Sequence, residues 1–403
     1  MNDARMSRML RTSDLDYDLP ESAIATSPAE PRDSAKLMVV RRSDPHYLEH
    51  MHVRDLPLLL EAGDLMVVNA TKVMQARFEG VRADTGGRVE GLYLGPGPII
   101  DDARTWGVLL QGKRMKEGVS VALHRADDTA SGLRLRLLSK DEREMGAWLV
   151  AIERESGEAL REGDTHDTQL LDAIGRPPLP PYIVRARKHS GQEKSQAYDK
   201  SRYQTVYAHD DASEKRVDHR ESLQTAQGSV AAPTAGLHFT PELLGTLAAQ
   251  GVQREEVTLH VGLGTFKTVE SEYIEQHAMH SERCFMPSSV RERILATRSA
   301  GNRVLCVGTT AARTVESYAR LPQHPADWLD TNILISPGYQ WQWTDCMLTN
   351  FHLPKSTLMA MIASLLGDHP SERGVDRLKR YYRVALERGY RFYSYGDAMC
   401  ILV

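Results

Sequence analysis

The sequence predicts an α/β protein in which a mostly parallel α/β sheet domain carries an inserted small antiparallel β-barrel domain. In the second half of the chain, strand and helix patterns alternate, as is typical of a parallel sheet covered by helices. Between residues 73 and 153, short apolar runs separated by glycine or polar turns indicate a barrel instead. We therefore assign residues 1–72 and 156–403 to the sheet domain and residues 73–155 to the barrel.

The first part of the chain predicts a strand at residues 36–40, a short helix at 56–60 and a strand at 64–69. After the barrel, the segment PPLPPYI at residues 177–183 predicts a polyproline-like stiffener, a rigid stretch through which the chain returns to the sheet domain. Residues 185–227 lack apolar periodicity and predict a flexible charged loop, or an arm that orders on RNA. Within them, YQTVYA at residues 203–208 should be packed.

A loop, a helix and a strand in residues 229–266 form the most informative stretch. Thr240 is a natural N-cap for the helix, Pro241 suits its first position, and Gly251 ends it. The strand, residues 257–263, places apolar side chains on one face and His260 on the other. Glycines beside this histidine let a ligand approach the backbone, and small residues in the preceding loop expose N–H groups that bind anions. These site candidates are Thr234, Gly236, Gly262 and Gly264. The alternative for the loop is a tight, buried connection.

Further helices are predicted at residues 288–299, 311–319 and 357–366, and further strands at 303–307, 331–335 and 390–398. Ligands of such sheets bind beyond the carboxyl ends of the strands. One of those ends carries Thr309 and Thr310 before a helix that contains Arg313, which suits a carboxylate or ribose hydroxyls. A plain helix cap is the alternative. The glycine fingerprint of dinucleotide sites is absent from the sequence.

Polar and aromatic candidates also lie near the C-terminus. Asn350 and His352 alternate with an aromatic residue, so both can point one way. Tyr393 and Tyr395 can stack on a purine, unless they belong to a core edge strand. His238, His260 and His352 suit proton transfer, because histidine titrates near neutrality.

Composition excludes several classes of protein. The 403 residues carry a net charge of −4, so the chain is not a globally basic nucleic-acid binder, although basic side chains on the barrel still allow a local basic face. Those side chains can equally protect strand edges from aggregation. The four cysteines form no C-x-x-C pair, so we expect no disulfides. His277 and His280 are three residues apart and could ligate a metal, but no acidic or thiolate partner recurs at ligand spacing, so we expect no metal. No apolar run predicts a membrane span or signal peptide, which favours the cytoplasm.

Six strings closely resemble the S-adenosylmethionine:tRNA ribosyltransferase-isomerase family of queuosine biosynthesis. They are GSVAAPTAGLHFT from Gly228, VTLHVGLGTF from Val257, HSE from His280, VGTT from Val307, TNFHLP from Thr349 and YSYGDAM from Tyr393. The resemblance covers nearly the whole chain. The chain differs from the family's pattern at residues 68–77, and residues 209–227 look like an insertion.

The resemblance implies that the ribosyl part of S-adenosylmethionine is transferred to 7-aminomethyl-7-deazaguanine at the wobble position of a tRNA. Rearrangement gives epoxyqueuosine and releases adenine and methionine. S-adenosylmethionine is then a co-substrate, and no cofactor is tightly bound. Two alternatives are a catalytically inactive RNA-binding homologue and an S-adenosylmethionine-dependent RNA methyltransferase.

For this reaction we expect His260 to remove a proton beside the sulfonium, with His238 and His352 as rivals. Asp397 or Tyr395 would assist the departing adenine, and Thr309, Thr310 and Arg313 would hold the methionine carboxylate. We expect a monomer that grips the anticodon region of the tRNA. Its phosphates would contact Lys72, Arg77, Lys113 and Arg114.

Overall fold

A computed structural model describes residues 9–142, 145–161, 163–191, 194–209, 228–262, 269–325 and 327–403. Its strands are β1 (Lys36–Arg41), β2 (Leu48–His52), β3 (Leu65–Asn69), β4 (Arg77–Arg82), β5 (Arg88–Pro96), β6 (Thr105–Gln111), β7 (Ser120–His124), β8 (Ala130–Lys140), β9 (Trp148–Arg154), β10 (Gly175–Arg176), β11 (Gln253–Leu259), β12 (Glu282–Phe285), β13 (Val304–Val307), β14 (Leu329–Thr331), β15 (Cys346–Asn350) and β16 (Ala398–Leu402). Its α-helices are α1 (Asp167–Ile174), α2 (Pro181–Ser190), α3 (Gln196–Arg202), α4 (Pro241–Ala249), α5 (Ser288–Ser299), α6 (Thr309–Ala319), α7 (Thr357–Leu366) and α8 (Gly374–Glu387).

The larger sheet has nine strands in the order β14-β12-β11-β3-β13-β15-β16-β1-β2. Its four central strands, β11, β3, β13 and β15, run parallel to one another. Every residue of β3, β13 and β15 is buried, because helices cover both faces of the sheet. The carboxyl ends of these strands therefore meet at one edge of the sheet. Strand β16 pairs with β15 in the antiparallel direction, so the sheet as a whole is mixed.

The smaller sheet is the predicted antiparallel barrel, built from β4 to β9 with β10 added at its edge. Pairing of β4 with β7 closes it. Alternate residues of β4 are buried, and the centre holds Tyr93 and Trp106 packed edge to face. Both rings donate hydrogen bonds to the Asp167 carboxylate on α1. The fold class predicted from the sequence is thus confirmed, while the domain boundaries at 72 and 155 stay a prediction.

Several predicted elements occur where the sequence places them. Helices α5 and α7 have the predicted bounds. Helix α4 begins after Thr240, whose side chain accepts a hydrogen bond from the backbone N–H of Leu243. The island at residues 203–208 is packed, with Tyr203 and Tyr207 buried.

Residues 177–191 and 194–202 differ from the prediction. Instead of a polyproline stiffener and a flexible loop, helices α2 and α3 follow one another, and α2 begins at Pro181 because proline fits the first helical turn. Arg187 is buried against α3, where it donates a hydrogen bond to Asp199 at 2.8 Å. This ion pair joins the two helices, although the sequence of this segment has no apolar periodicity. The predicted insertion reaches beyond His209 into residues 210–227, which lie outside the described part of the chain.

The predicted aromatic strand at residues 390–398 is wrong. The chain turns there, with Tyr393 at a φ of 71°, and the strand begins only at Ala398. Smaller differences are a 3-10 helix at Val53–Leu58 in place of a helix at 56–60, and strand β14 at Leu329–Thr331 in place of 331–335. Strand β11 begins before the predicted 257 and ends at Leu259.

Candidate active site

An open cleft of about 670 Å³ lies where the central parallel strands end. The loop after Ala231, the first turn of α6 and the segment after β15 form its walls. Six residues predicted from the sequence line it together: Thr234, Thr309, Thr310, Asn350, His352 and Tyr393. The structure therefore brings residues from four distant stretches of the chain into one cavity.

Asn350 ends β15 and is buried in the cleft wall. Its Nδ2 donates to the backbone carbonyl of Tyr393 at 3.1 Å and to Nε2 of His238 at 3.3 Å. No described residue hydrogen-bonds to its Oδ1, although that atom is buried. A buried acceptor without a partner is costly, so this atom is suited to an N–H or O–H of a ligand.

His352 is half-buried in the same wall. Its Nε2 lies 2.7 Å from Oγ1 of Thr349, and its backbone N–H donates to the Tyr382 hydroxyl at 3.0 Å. The Tyr17 hydroxyl donates to its backbone carbonyl. These contacts fix the ring in position at the surface of the cleft. Desolvation lowers the pKa of His352 to about 4, so the imidazole is neutral at physiological pH.

His238 does not line the cleft but lies directly behind it, 5 % exposed, at the end of the 3-10 helix Thr234–His238. Desolvation lowers its pKa to about 4 as well. Because Nε2 of this ring accepts from Asn350, His238 orients the amide that faces the cleft.

The lowered pKa values of His238 and His352 predict acid sensitivity. An unfolded histidine titrates near 6.5, so the unfolded chain binds these protons more tightly than the folded one, and stability present above that pH is lost as the pH falls from 6.5 to about 4. Lowering the pH from 7 to 5 should cost about 2 kcal/mol per histidine. We expect the difference in melting temperature between pH 7 and pH 5 to be smaller in His238→Gln than in the wild type. Equal differences would contradict the burial of a neutral imidazole.

The turn that replaces the predicted aromatic strand forms another wall. Tyr393 adopts a left-handed backbone conformation that is uncommon for a tyrosine, and its ring packs 4.6 Å from that of Tyr182 on α2. The Tyr182 hydroxyl is hydrogen-bonded to Ser394. Strained backbone of this kind is stored at functional sites, which supports a binding role for the turn.

The N-terminus of α6 forms the third wall. Gly308 precedes it with a φ of 89°, a conformation that side chains other than glycine rarely adopt. Thr309 and Thr310 follow with their N–H groups in the first helical turn, where anions and ligand oxygens bind. Oγ1 of Thr310 is buried without a hydrogen-bond partner among the described residues.

Several predicted residues lie elsewhere. His260 is stacked on Trp328 at 4.9 Å and contacts Oγ1 of Thr71 at 3.1 Å, while its neighbour Val261 lines the cleft. His260 itself is not among the residues that line the cleft. The N–H of Gly262 donates to Glu282. Gly264 lies outside the described residues.

Three more predicted residues have structural contacts in place of a position in the cleft. Asp397 is buried and accepts hydrogen bonds from the backbone N–H groups of Lys36 and Arg391. Tyr395 packs edge to face on Tyr203. A Cβ on Gly236 would lie 2.0 Å from the Tyr207 hydroxyl, so this glycine serves close packing.

Arg313 lines a second pocket of about 500 Å³, which adjoins the cleft at Leu358. Its Nη1 forms an ion pair with Glu282. The sequence motifs contained His280 and Glu282, but only the packing of α6 against β12 reveals that they share this pocket with the arginine.

The predicted tRNA contacts lie on or beside the barrel. Lys72 follows β3 and is exposed, Arg77 begins β4, and Lys113 and Arg114 form an exposed turn after β6. The backbone carbonyls of that turn accept hydrogen bonds from Arg82, which fixes its position. Tyr182 also lines the cleft, although the sequence predicted only a polyproline-like stiffener at residues 177–183.

Within the described ranges, no cluster of three or more histidine, cysteine, aspartate or glutamate side chains is arranged to hold a metal ion. The same part of the chain contains no helix with the length and apolar character needed to cross a membrane. All four cysteines are buried and free.

Comparisons with known proteins agree with this architecture. The profile of the queuosine biosynthesis protein family matches residues 12–401. The S-adenosylmethionine:tRNA ribosyltransferase-isomerase of Synechococcus elongatus is 42 % identical over 391 residues, covering 96 % of this chain and 94 % of that protein. The enzyme of the same name from Desulfitobacterium hafniense is 41 % identical over 398 residues, covering 98 % and 100 %. The crystal structure of S-adenosylmethionine tRNA ribosyltransferase from Thermotoga maritima is similar with a TM-score of 0.50 and 30 % identity, covering 97 % of this chain and 100 % of that one.

Proposed function

The chain belongs to the queuosine biosynthesis protein family, and on that basis we propose that it transfers and isomerises the ribosyl moiety of S-adenosylmethionine onto a tRNA. The acceptor is the aminomethyl group of 7-aminomethyl-7-deazaguanine at the wobble position. The products are epoxyqueuosine-tRNA, adenine and methionine. Neither an inactive RNA-binding homologue nor a methyltransferase is supported by the comparisons.

One observation carries the assignment of this activity to the cleft. Two buried polar atoms of its wall, Oδ1 of Asn350 and Oγ1 of Thr310, have no hydrogen-bond partner among the described residues. A nucleoside offers both an exocyclic amine and ribose hydroxyls, which are the groups such acceptors require. Thr234, Thr309 and Tyr393 complete the contacts, with the tyrosine ring available to an adenine face.

Within this cleft we assign proton removal to His352. The sulfonium acidifies the adjacent 5′ carbon of the ribose, and an imidazole that lines the cleft can accept that proton. His352 lines the cleft, whereas His238 positions Asn350 from behind and His260 stacks on Trp328. Asp397 is held in structural hydrogen bonds, so we assign recognition of the adenine base to Asn350, whose Oδ1 can accept a hydrogen bond from the exocyclic amine.

The experiment that tests the activity follows the two released products. The protein is incubated with S-adenosylmethionine and tRNA that carries the aminomethyl base, and free adenine and methionine are quantified. Equal amounts of both, dependent on the tRNA, are expected. Release of S-adenosylhomocysteine would identify a methyltransferase, and no turnover would exclude the proposed reaction.

We further propose that the barrel cations Lys72, Arg77, Lys113 and Arg114 contact phosphates of the anticodon region. Binding should then weaken steeply with salt, because each phosphate contact releases counterions. Replacing both Lys113 and Arg114 by alanine should reduce the slope of log K against log salt by about 1.5. Lys379→Ala, on α8 of the sheet domain, is the matched control and should leave the slope unchanged. An unchanged slope in the double variant would remove this turn from the tRNA interface.

A tRNA substrate also favours a cytoplasmic location, and one cleft with its own barrel favours a monomer. Light scattering on the purified protein, with and without tRNA, tests the second proposal. A single mass near the 45.1 kDa of one chain is expected without tRNA.

A further inference from the structure

The second pocket has the chemical character of a site for a small apolar amino acid. One part of its wall is apolar and includes Met279, Ile335 and Met361, and another part carries polar groups that include the imidazoles of His277 and His280. Arg313 and Glu282 also line it and form an ion pair. An apolar wall beside one guanidinium and one carboxylate matches an α-amino acid, whose side chain is apolar and whose backbone carries one charge of each sign.

Arg313 has unused hydrogen-bonding capacity. The residue is 6 % exposed, and only Nη1 is paired, while Nε and Nη2 are buried without a partner among the described residues. These two nitrogens lie on the same side of the planar guanidinium, in the arrangement that binds a carboxylate through two parallel hydrogen bonds. Leaving them unpaired in the interior costs free energy that a ligand carboxylate would recover.

The pocket is also connected to the cleft in a way that fits one extended ligand. Leu358 lines both cavities. Thr310, in the cleft, and Arg313, in the second pocket, are three residues apart on α6 and so lie on one face of the helix, about 4.5 Å apart along its axis. His352 lies on the segment that connects β15 to α7, and Leu358 lies in the first turn of α7; both residues line the cleft.

We propose that the second pocket holds the methionine part of S-adenosylmethionine, with its α-carboxylate on Nε and Nη2 of Arg313 and its ammonium group beside Glu282. The inference rests on the proposed function. The sulfonium then lies near Leu358, between the two cavities, and the 5′ carbon lies on the His352 side. After the reaction, methionine remains in a pocket that binds it independently of the nucleoside.

This arrangement predicts that free L-methionine competes with S-adenosylmethionine. L-methioninol, which lacks the carboxylate, should inhibit at least tenfold more weakly, because it cannot use Arg313. L-norleucine, which keeps both the carboxylate and the apolar chain, should inhibit to a similar extent as methionine. The measurement is the inhibition constant of each compound in the adenine-release assay.

A variant that fills the pocket provides the second test. Met361→Trp leaves Arg313 and Glu282 in place, and it should raise the KM for S-adenosylmethionine by tenfold or more while the Kd for tRNA stays unchanged. Wild-type activity with no competition by methionine, or an unchanged KM in Met361→Trp, would overturn the pocket assignment alone. A wild-type protein that releases no adenine would instead overturn the proposed function.

Discussion

His352→Ala is expected to lower kcat for adenine release by about 100 to 10,000-fold, the usual loss when a general base is removed. His352 is the histidine that lines the cleft, and its ring is already neutral because burial lowers its pKa to about 4. The KM for S-adenosylmethionine should change little, since the binding contacts assigned to the cleft belong to other residues. The measurement is steady-state adenine release at saturating tRNA.

Two further variants test whether a loss of activity comes from the missing base or from disturbed packing. His352→Gln can keep a hydrogen bond to Thr349 but cannot take a proton at neutral pH, so its kcat should fall as far as that of His352→Ala. His260→Ala, whose ring stacks on Trp328, should retain kcat within about tenfold. Near-normal turnover in both His352 variants would show that another group removes the proton.

Glu316→Ala is expected to cost about 3–5 kcal/mol of folding free energy. The carboxylate lies on α6 with no exposed surface and accepts four hydrogen bonds, from the Tyr339 hydroxyl and from the backbone N–H groups of Gln342, Trp343 and Thr344, at distances of 2.9–3.0 Å. Removing it leaves four donors without their acceptor, and the N–H of Thr344 is buried. The melting temperature, measured by calorimetry, should fall by roughly 5 °C.

The matched control is Tyr339→Phe, which removes one of those four donors and keeps the carboxylate. It should cost about 1 kcal/mol, the net contribution of a single hydrogen bond. If Glu316→Ala melted at the wild-type temperature, the carboxylate would not hold this segment against α6.

The helices that the sequence predicted correctly carry their own boundary signals. Helix α7 begins after Ser356, whose side chain caps it, and ends before Gly367. Helix α4 likewise has a threonine cap and an initial proline. These local signals are sufficient because each describes a hydrogen bond within a few residues of the chain.

The elements that the sequence misjudged depend on distant contacts. Helix α2 buries Arg187, which forms an ion pair with Asp199. Because a charged residue occupies this buried position, the sequence lacks the apolar stripe by which an amphipathic helix is predicted. The turn before β16 is held by the Asp397 carboxylate, which accepts the backbone N–H of Arg391. Neither partner can be recognised before the fold is known.

The residues of the candidate site also fall into two groups, those that the sequence pattern predicts and those that depend on distant contacts. Thr309, Thr310 and Asn350 lie together in the cleft, as the sequence predicted, because they follow or end buried parallel strands and the carboxyl ends of such strands meet. His260 stacks on Trp328 and is not among the residues that line the cleft, because strand β11 ends at Leu259, before this histidine. Tyr182 and the pocket around Arg313 arise from segments far apart in the chain.

The most direct measurement is a crystal structure of the protein with S-adenosylmethionine bound. The account predicts adenosine in the cleft with a polar group on Oδ1 of Asn350, the sulfonium near Leu358 and the carboxylate on Arg313. S-adenosylmethionine bound at any other surface, with the cleft empty, would contradict it.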